Sequence, residues 1–197
     1  MHLRDASPQR KKIATILTFL SIPLSGFMTD IYLPSFPSMA RNLSVSEQSI
    51  QLTLTCFFLS YGFSQLFVGP VADSVGRRKP MLISLAVLLL SSLAVTFTGE
   101  VLVISLLRIV QGIATAFIVV AKRAYFVDLF DDEKRKHYLS YFTIVWSCGP
   151  IIAPFLGGFL EEHLGWQSNF YFLAIYAAIL FVGELVFSGE TIRNYKK

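Results

Sequence analysis

Six apolar runs dominate the chain and leave few folds open to it. They lie at about 13–33, 50–72, 80–98, 101–121, 138–160 and 170–187, each about 18–23 residues long. At the helical rise, about 20 residues cross a hydrocarbon core of about 30 Å. A membrane-spanning barrel would instead show segments of about ten residues with alternating polarity, and these runs do not alternate. The chain therefore reads as an all-α membrane protein with six transmembrane helices. Only 15% of its residues are charged, against about a quarter in soluble domains. The first run is not a secretory signal: it has no small-residue cleavage site, is too long, and is followed by five like it.

The few charges are placed by topology. Fifteen of the seventeen Lys and Arg fall in four segments: residues 1–12, the 73–79 loop, the 122–137 loop and the tail after 188. Arg41 alone lies in the opposite set of loops, and Arg108 lies inside a run. Cationic loops stay on the cytoplasmic side, so both termini are expected there. A nucleic-acid surface would not alternate with the spans in this way, so the partner is membrane lipid and not nucleic acid. Cys56 and Cys148 sit inside apolar runs and read as inert thiols, and His2, His137 and His163 are too scattered for a metal site. No His lies inside a span, so there is no base for an intramembrane nucleophile and no enzyme is expected.

Several residues are costly to keep at membrane depth. Asp30, in the first run, either faces a water-filled cavity or caps that span at the outer interface, just before Pro34 and Pro37. Arg108 lies about seven residues, or about 10 Å, inside the fourth run. Gln111 and Thr115 follow on the same helical stripe. The alternative to snorkelling is an inward-facing Arg108, which needs an acceptor. Asp30, the one carboxylate at similar depth, is expected near it. Thr53, Tyr61 and Gln65 add polar groups to the second run, with Tyr61 placed on the same path. Glu184, near the inner end of the sixth run, is expected to reach cytoplasmic water.

The fifth run holds Gly149, Pro150, Pro154, Gly157 and Gly158, which bend a helix and remove side-chain bulk from it. Gly149, Ala153 and Gly157, four apart, predict a smooth ridge for a close helix neighbour. The stretch Gly69–Lys79, GPVADSVGRRK, is a cationic hinge between two spans. Asp128, Asp131, Asp132 and Glu133 share its side and are expected to latch onto Arg77, Arg78 and Lys79. Its spacing of Gly69, Asp73 and Gly76 recurs as Gly158, Glu162 and Gly165, as two three-helix units of inverted topology would produce.

These residues together resemble a known family. The chain is similar to the N-terminal half of a major facilitator superfamily transporter, and within it to the drug:proton antiporters of the Bcr/CflA type. The likeness rests on TDIYLPSFPSMA (Thr29–Ala40), GPVADSVGRRK (Gly69–Lys79), LLRIVQGIATA (Leu106–Ala116) and GPIIAPFLGGFL (Gly149–Leu160). It implies a six-helix, 3+3 inverted-repeat bundle that exports small amphipathic drug-like compounds across the inner membrane. No cofactor is implied, and the proton gradient is the energy source. Asp30 and Arg108 would lie on the proton and substrate path, with Gln111, Thr115 and Tyr61 beside them. Gly69, Asp73, Gly76, Arg77, Arg78 and Asp128 would form a conformational latch. Gly149, Pro150, Pro154, Gly157 and Gly158 would shape the antiporter helix.

The departures from the family pattern are Val71, Ser74, Val127, Ala153 and the length of the chain. Twelve spans are the family norm, so a missing C-terminal six-helix half is an expected partner, with residues 189–197 opening the central loop. An uptake transporter of the same fold and a non-transporting scaffold are the alternatives.

Overall fold

A computed structural model describes residues 3–191. Arg193, Lys196 and Lys197, counted above among the topology-setting cations, lie outside the described residues. Six stretches are long and apolar enough to cross a membrane, and all are helical. The first comprises α1 (Pro8–Ser21), α2 (Leu24–Asp30) and α3 (Phe36–Asn42). The other five are α4 (Glu47–Val75), α5 (Arg78–Phe97), α6 (Val101–Leu129), α7 (Asp132–Leu164) and α8 (Gln167–Phe187).

The helices overrun the apolar runs that predict them, because local capping and not hydropathy sets their ends. The Ser7 side chain accepts from Arg10 N and Pro8 takes the first turn, so α1 starts within the basic tail. Arg10 then donates to the carbonyls of Val186, Phe187 and Ser188 at 2.9, 3.0 and 3.2 Å. A cation there meets acceptors that the end of α8 leaves unsatisfied. The first span is not one rod. Pro23 interrupts it between α1 and α2, and a 3-10 turn containing Pro34 separates α2 from α3, since each proline removes a donor.

One expectation about a break is corrected. Gly69–Val75 is not a hinge: α4 continues through Gly69 and Pro70, and only Gly76 and Arg77 lie between α4 and α5. The α7 helix runs unbroken through Pro150 and Pro154 for 33 residues. Within spans of this length, neighbouring turns and helices absorb the lost bond.

The internal echo has a structural counterpart. Gly76 ends α4 with φ 97° and Gly165 ends α7 with φ 82°, a conformation that glycine adopts without strain. Each donates its N–H four residues back, to Ala72 and Glu161, and the next helix starts two residues on. The displacement along the chain that carries Gly76 to Gly165 also carries Ser60 to Gly149 and Tyr61 to Pro150. Those residues make matching contacts: Gly112 of α6 lies against Phe57, Ser60 and Tyr61 of α4, and Gly26 of α2 against Gly149 and Pro150 of α7. The first three spans and the last three are thus one unit used twice, with α5 packed on α8 between them. Small residues drive this closeness, since lipid offers no hydrophobic preference for helix over tail. The least buried spans are α4 and α7, which correspond under the repeat.

Candidate functional site

Arg108 is fully buried at the centre of the bundle, so it does not snorkel. Its NH2 donates to the Met28 carbonyl at 2.7 Å and its NH1 to Gln111 Oε1 at 2.8 Å. Gln111 passes the chain on, with Nε2 donating to Ser92 Oγ at 3.3 Å. The guanidinium lies between two rings, 4.6 Å from the centroid of Tyr32 and 4.5 Å from that of Phe57. Tyr61 stacks on Phe57 at 5.8 Å and 14°, and the cluster draws on three spans. Thr115 closes the stripe by donating to the Gln111 carbonyl at 2.7 Å.

Asp30, expected near Arg108, makes no direct ion pair with it. Asp30 is half-buried on α2, accepts from Thr29 Oγ1 at 2.9 Å, and makes no ion pair among the described residues. A backbone and an amide oxygen hold the two terminal nitrogens of Arg108 instead, while its Nε has no hydrogen-bond partner among the described residues. A planar fork held this way is not replaced by an ammonium. Arg108→Lys is expected to lower stability by about 1–3 kcal/mol, measured as thermal unfolding of the chain in detergent.

At the end of the bundle shared by Leu3, Gly76 and Glu190, charges interlock. Arg77 lies 3.2 Å from Asp73 Oδ1 and 3.2 Å from Asp128 Oδ2, joining α4 to α6. Asp128 also accepts from Thr191 Oγ1 at 2.7 Å. The Glu190 carboxylate receives the backbone N–H groups of Arg77 and Arg78, each at 3.2 Å. Those donors open α5, where a negative group is favoured. Arg78 itself donates to the Leu185 carbonyl at 2.8 Å. The acidic cluster divides: Asp131 and Asp132 pair within α7, with Lys134 and Arg135, and do not reach the 77–79 turn. Sequence reasoning missed Glu190 and Thr191. Their signal was an acid just past the last apolar run, on the side of the basic turn.

A second buried charge pair was also missed. Lys122 and Glu184 are 3% and 0% exposed and form an ion pair between α6 and α8. Lys122 Nζ lies 3.5 Å from Thr18 Oγ1 and 5.9 Å from the centroid of Tyr125. The assignment of Lys122 to a loop, and of Glu184 to cytoplasmic water, is therefore corrected: α6 continues past Ala121 and carries Lys122 into the bundle. The signal was helical spacing, because Lys122 falls on the stripe of Arg108, Gln111 and Thr115. Arg77, Arg78, Ser188 and Thr191 border the small cavity beside the pair.

The predicted ridge on α7 is buried at Gly149, Ala153 and Gly157. Its neighbour is α2: a Cβ on Gly157 would overlap the Ile31 carbonyl, and one on Gly149 would lie 2.8 Å from the Pro23 carbonyl. Gly158 is looser, 3.8 Å from the Pro34 side chain by the same measure.

The sequence profile of the Major Facilitator Superfamily matches residues 18–194. The chain is 37% identical over 164 residues to a bicyclomycin resistance protein homolog of Haemophilus influenzae, covering 83% of this chain and 41% of that protein. It is 30% identical over 170 residues to multidrug resistance protein D of Escherichia coli, covering 86% and 43%. It thus spans about two fifths of the length of these curated relatives. The human organic anion transporter MFSD10 shares the fold, with a TM-score of 0.69 at 20% identity over 95% of this chain and 49% of that one. With a six-helix bundle built from an inverted repeat and a profile match over most of its length, this chain is a multi-pass membrane protein belonging to the Major Facilitator Superfamily.

Proposed function

We propose that the chain supplies one six-helix half of a proton-coupled exporter of small amphipathic molecules and is inactive without a second half. The observation that carries this reading is Arg77, held between Asp73 of α4 and Asp128 of α6. Exposed ion pairs contribute only about 0–1 kcal/mol each, so a few partly buried ones bias a conformational equilibrium without locking it. Alternating access needs that kind of bias, with the repeat units or bundles rocking about a central site. In this reading the latch end, with both termini, faces the cytoplasm across the inner membrane. The relatives named for bicyclomycin and multidrug resistance support export over uptake.

Asp30 is the proton carrier in this scheme. It is half-buried and receives one hydrogen bond, from Thr29, two residues along from the Met28 carbonyl that accepts from Arg108. A carboxylate in that position exchanges protons with a water-filled cavity. Arg108 is the fixed cation beside the path, and the proton gradient supplies the energy without a cofactor.

The test expresses the chain in an efflux-deficient strain, alone and with the second six-helix half of a bacterial relative. Bicyclomycin accumulation is followed with and without an uncoupler. Export is expected only from the pair, and Asp30→Asn in this chain is expected to abolish it. Export by the chain alone would sink the half-transporter reading, and export indifferent to the uncoupler would sink proton coupling.

A further inference from the structure

A concave pocket opens on the side of the bundle formed by α4, α6 and α7, below the Arg108 cluster. Each helix gives it one pair of residues a turn apart: Tyr61 and Gln65, Val119 and Arg123, Phe142 and Trp146. Residues spaced in this way lie one above the other on a helix face. The pocket is therefore one helical turn tall, with a volume of about 370 Å³, within the range for small-molecule sites. Thr143 adds a hydroxyl to the wall. Trp146 is held in place, its Nε1 donating to Ser25 Oγ at 3.1 Å. Tyr61 is held by its stack on Phe57.

The charges select the ligand. Among the described residues lining it, Arg123 is the one charged group. The two buried cations of α6 are held by protein groups, Arg108 by Met28 and Gln111 and Lys122 by Glu184. Arg123 makes no hydrogen bond or ion pair among the described residues. Arg123 is exposed at the mouth of the pocket, so its guanidinium is open to a ligand, and its planar fork suits a carboxylate, sulfonate or phosphate. Two aromatic rings one turn apart on α7 supply a surface for a flat apolar group.

We infer that this pocket is a subsite for aromatic organic anions, with the anionic group on Arg123 and the ring against Phe142 and Trp146. This rests on the transport reading and narrows it, because an aromatic cation would meet Arg123 and no counter-charge.

The sequence holds two tryptophans, so Trp166→Phe leaves Trp146 as the single indole. That chain, in lipid nanodiscs, is titrated with 3,5-dinitrobenzoate and with its neutral benzyl alcohol and benzyl trimethylammonium analogues, reading fluorescence quenching. Saturable quenching by the anion is expected, at least tenfold tighter than by either analogue. Arg123→Gln is expected to lose at least tenfold, Arg123→Lys to keep only the part of the affinity that charge without the planar fork supplies, and Arg41→Gln to change nothing. No saturable quenching, equal binding of the ammonium probe, or full affinity in Arg123→Gln would overturn the inference. Because no gradient is involved, a chain that binds the anion but never supports export would sink the transport reading alone.

Discussion

Lys122→Met is expected to cost about 3–5 kcal/mol of stability, because it leaves the Glu184 carboxylate buried without its cation. Glu184 is fully buried and one of its oxygens, Oε2, already has no hydrogen-bond partner. Removing Lys122 takes away the ion pair at the other oxygen, and the ammonium is its only charged partner among the described residues. Glu184→Leu should cost a comparable amount by stranding Lys122. The double variant Lys122→Met/Glu184→Leu should return to within about 1 kcal/mol of the parent, since apolar residues of similar volume often replace a buried pair without loss. Thermal unfolding in detergent measures all three. Additive losses in the double variant would show that the two residues are not coupled as the structure has them.

Gly157→Val is expected to be the most damaging single substitution in α7, with a loss above about 4 kcal/mol. The obstacle is backbone: the new Cβ falls on the Ile31 carbonyl of α2, and a main-chain atom cannot rotate away as a side-chain tip can. α2 and α7 would have to part, taking Gly26, Gly149 and Pro150 out of contact. Gly158→Ala is the control, because its Cβ would reach only ordinary contact with Pro34. Gly69→Ala should be neutral or stabilising by up to about 1 kcal/mol, since Gly69 is helical with open space around it. Unfolding midpoints of the three variants order the effects. Tolerance of Gly157→Val would mean that the α2–α7 approach is not tight.

Both predictions rest on features that were unequally visible in the sequence. The Gly149–Ala153–Gly157 ridge is a spacing rule on one helix, and spacing is a property of the chain alone. So is the inward stripe of Arg108, Gln111 and Thr115. The Lys122–Glu184 pair joins residues far apart in the sequence, and hydropathy assigned both to the cytoplasmic surface and neither to the bundle interior. Lys122 stood at the end of an apolar run, where a cation normally marks the loop. A carboxylate on another helix made burial tolerable, and no local rule reveals that. The same limit applies to Glu190, which reads as a loop residue until it is seen capping α5. It applies equally to Arg108, whose acceptors are the Met28 carbonyl and Gln111 in place of Asp30.

The opening hinge shows the division within one stretch. Gly76 ends α4 with positive φ as its position between two spans suggested, whereas Gly69 is an ordinary helical residue. The arginines that read as topology signals are also structural: Arg77 ties α4 to α6 and Arg78 holds the end of α8.

From sequence alone come the six spans, their order, the small-residue ridge, the inward stripe and the echo of one unit in the other. Bilayer thickness and helical periodicity dictate these, and both act on contiguous residues. Only the tertiary structure decides which acceptor satisfies each buried cation. It gives Arg108 a carbonyl, Lys122 a carboxylate on α8 and Arg77 two aspartates from different helices, while Arg123 faces an open pocket. Met28, Glu184 and Asp128 lie on helices distant in the chain from the cations they meet, and only folding brings them within bonding distance, whereas Asp73 is four residues from Arg77.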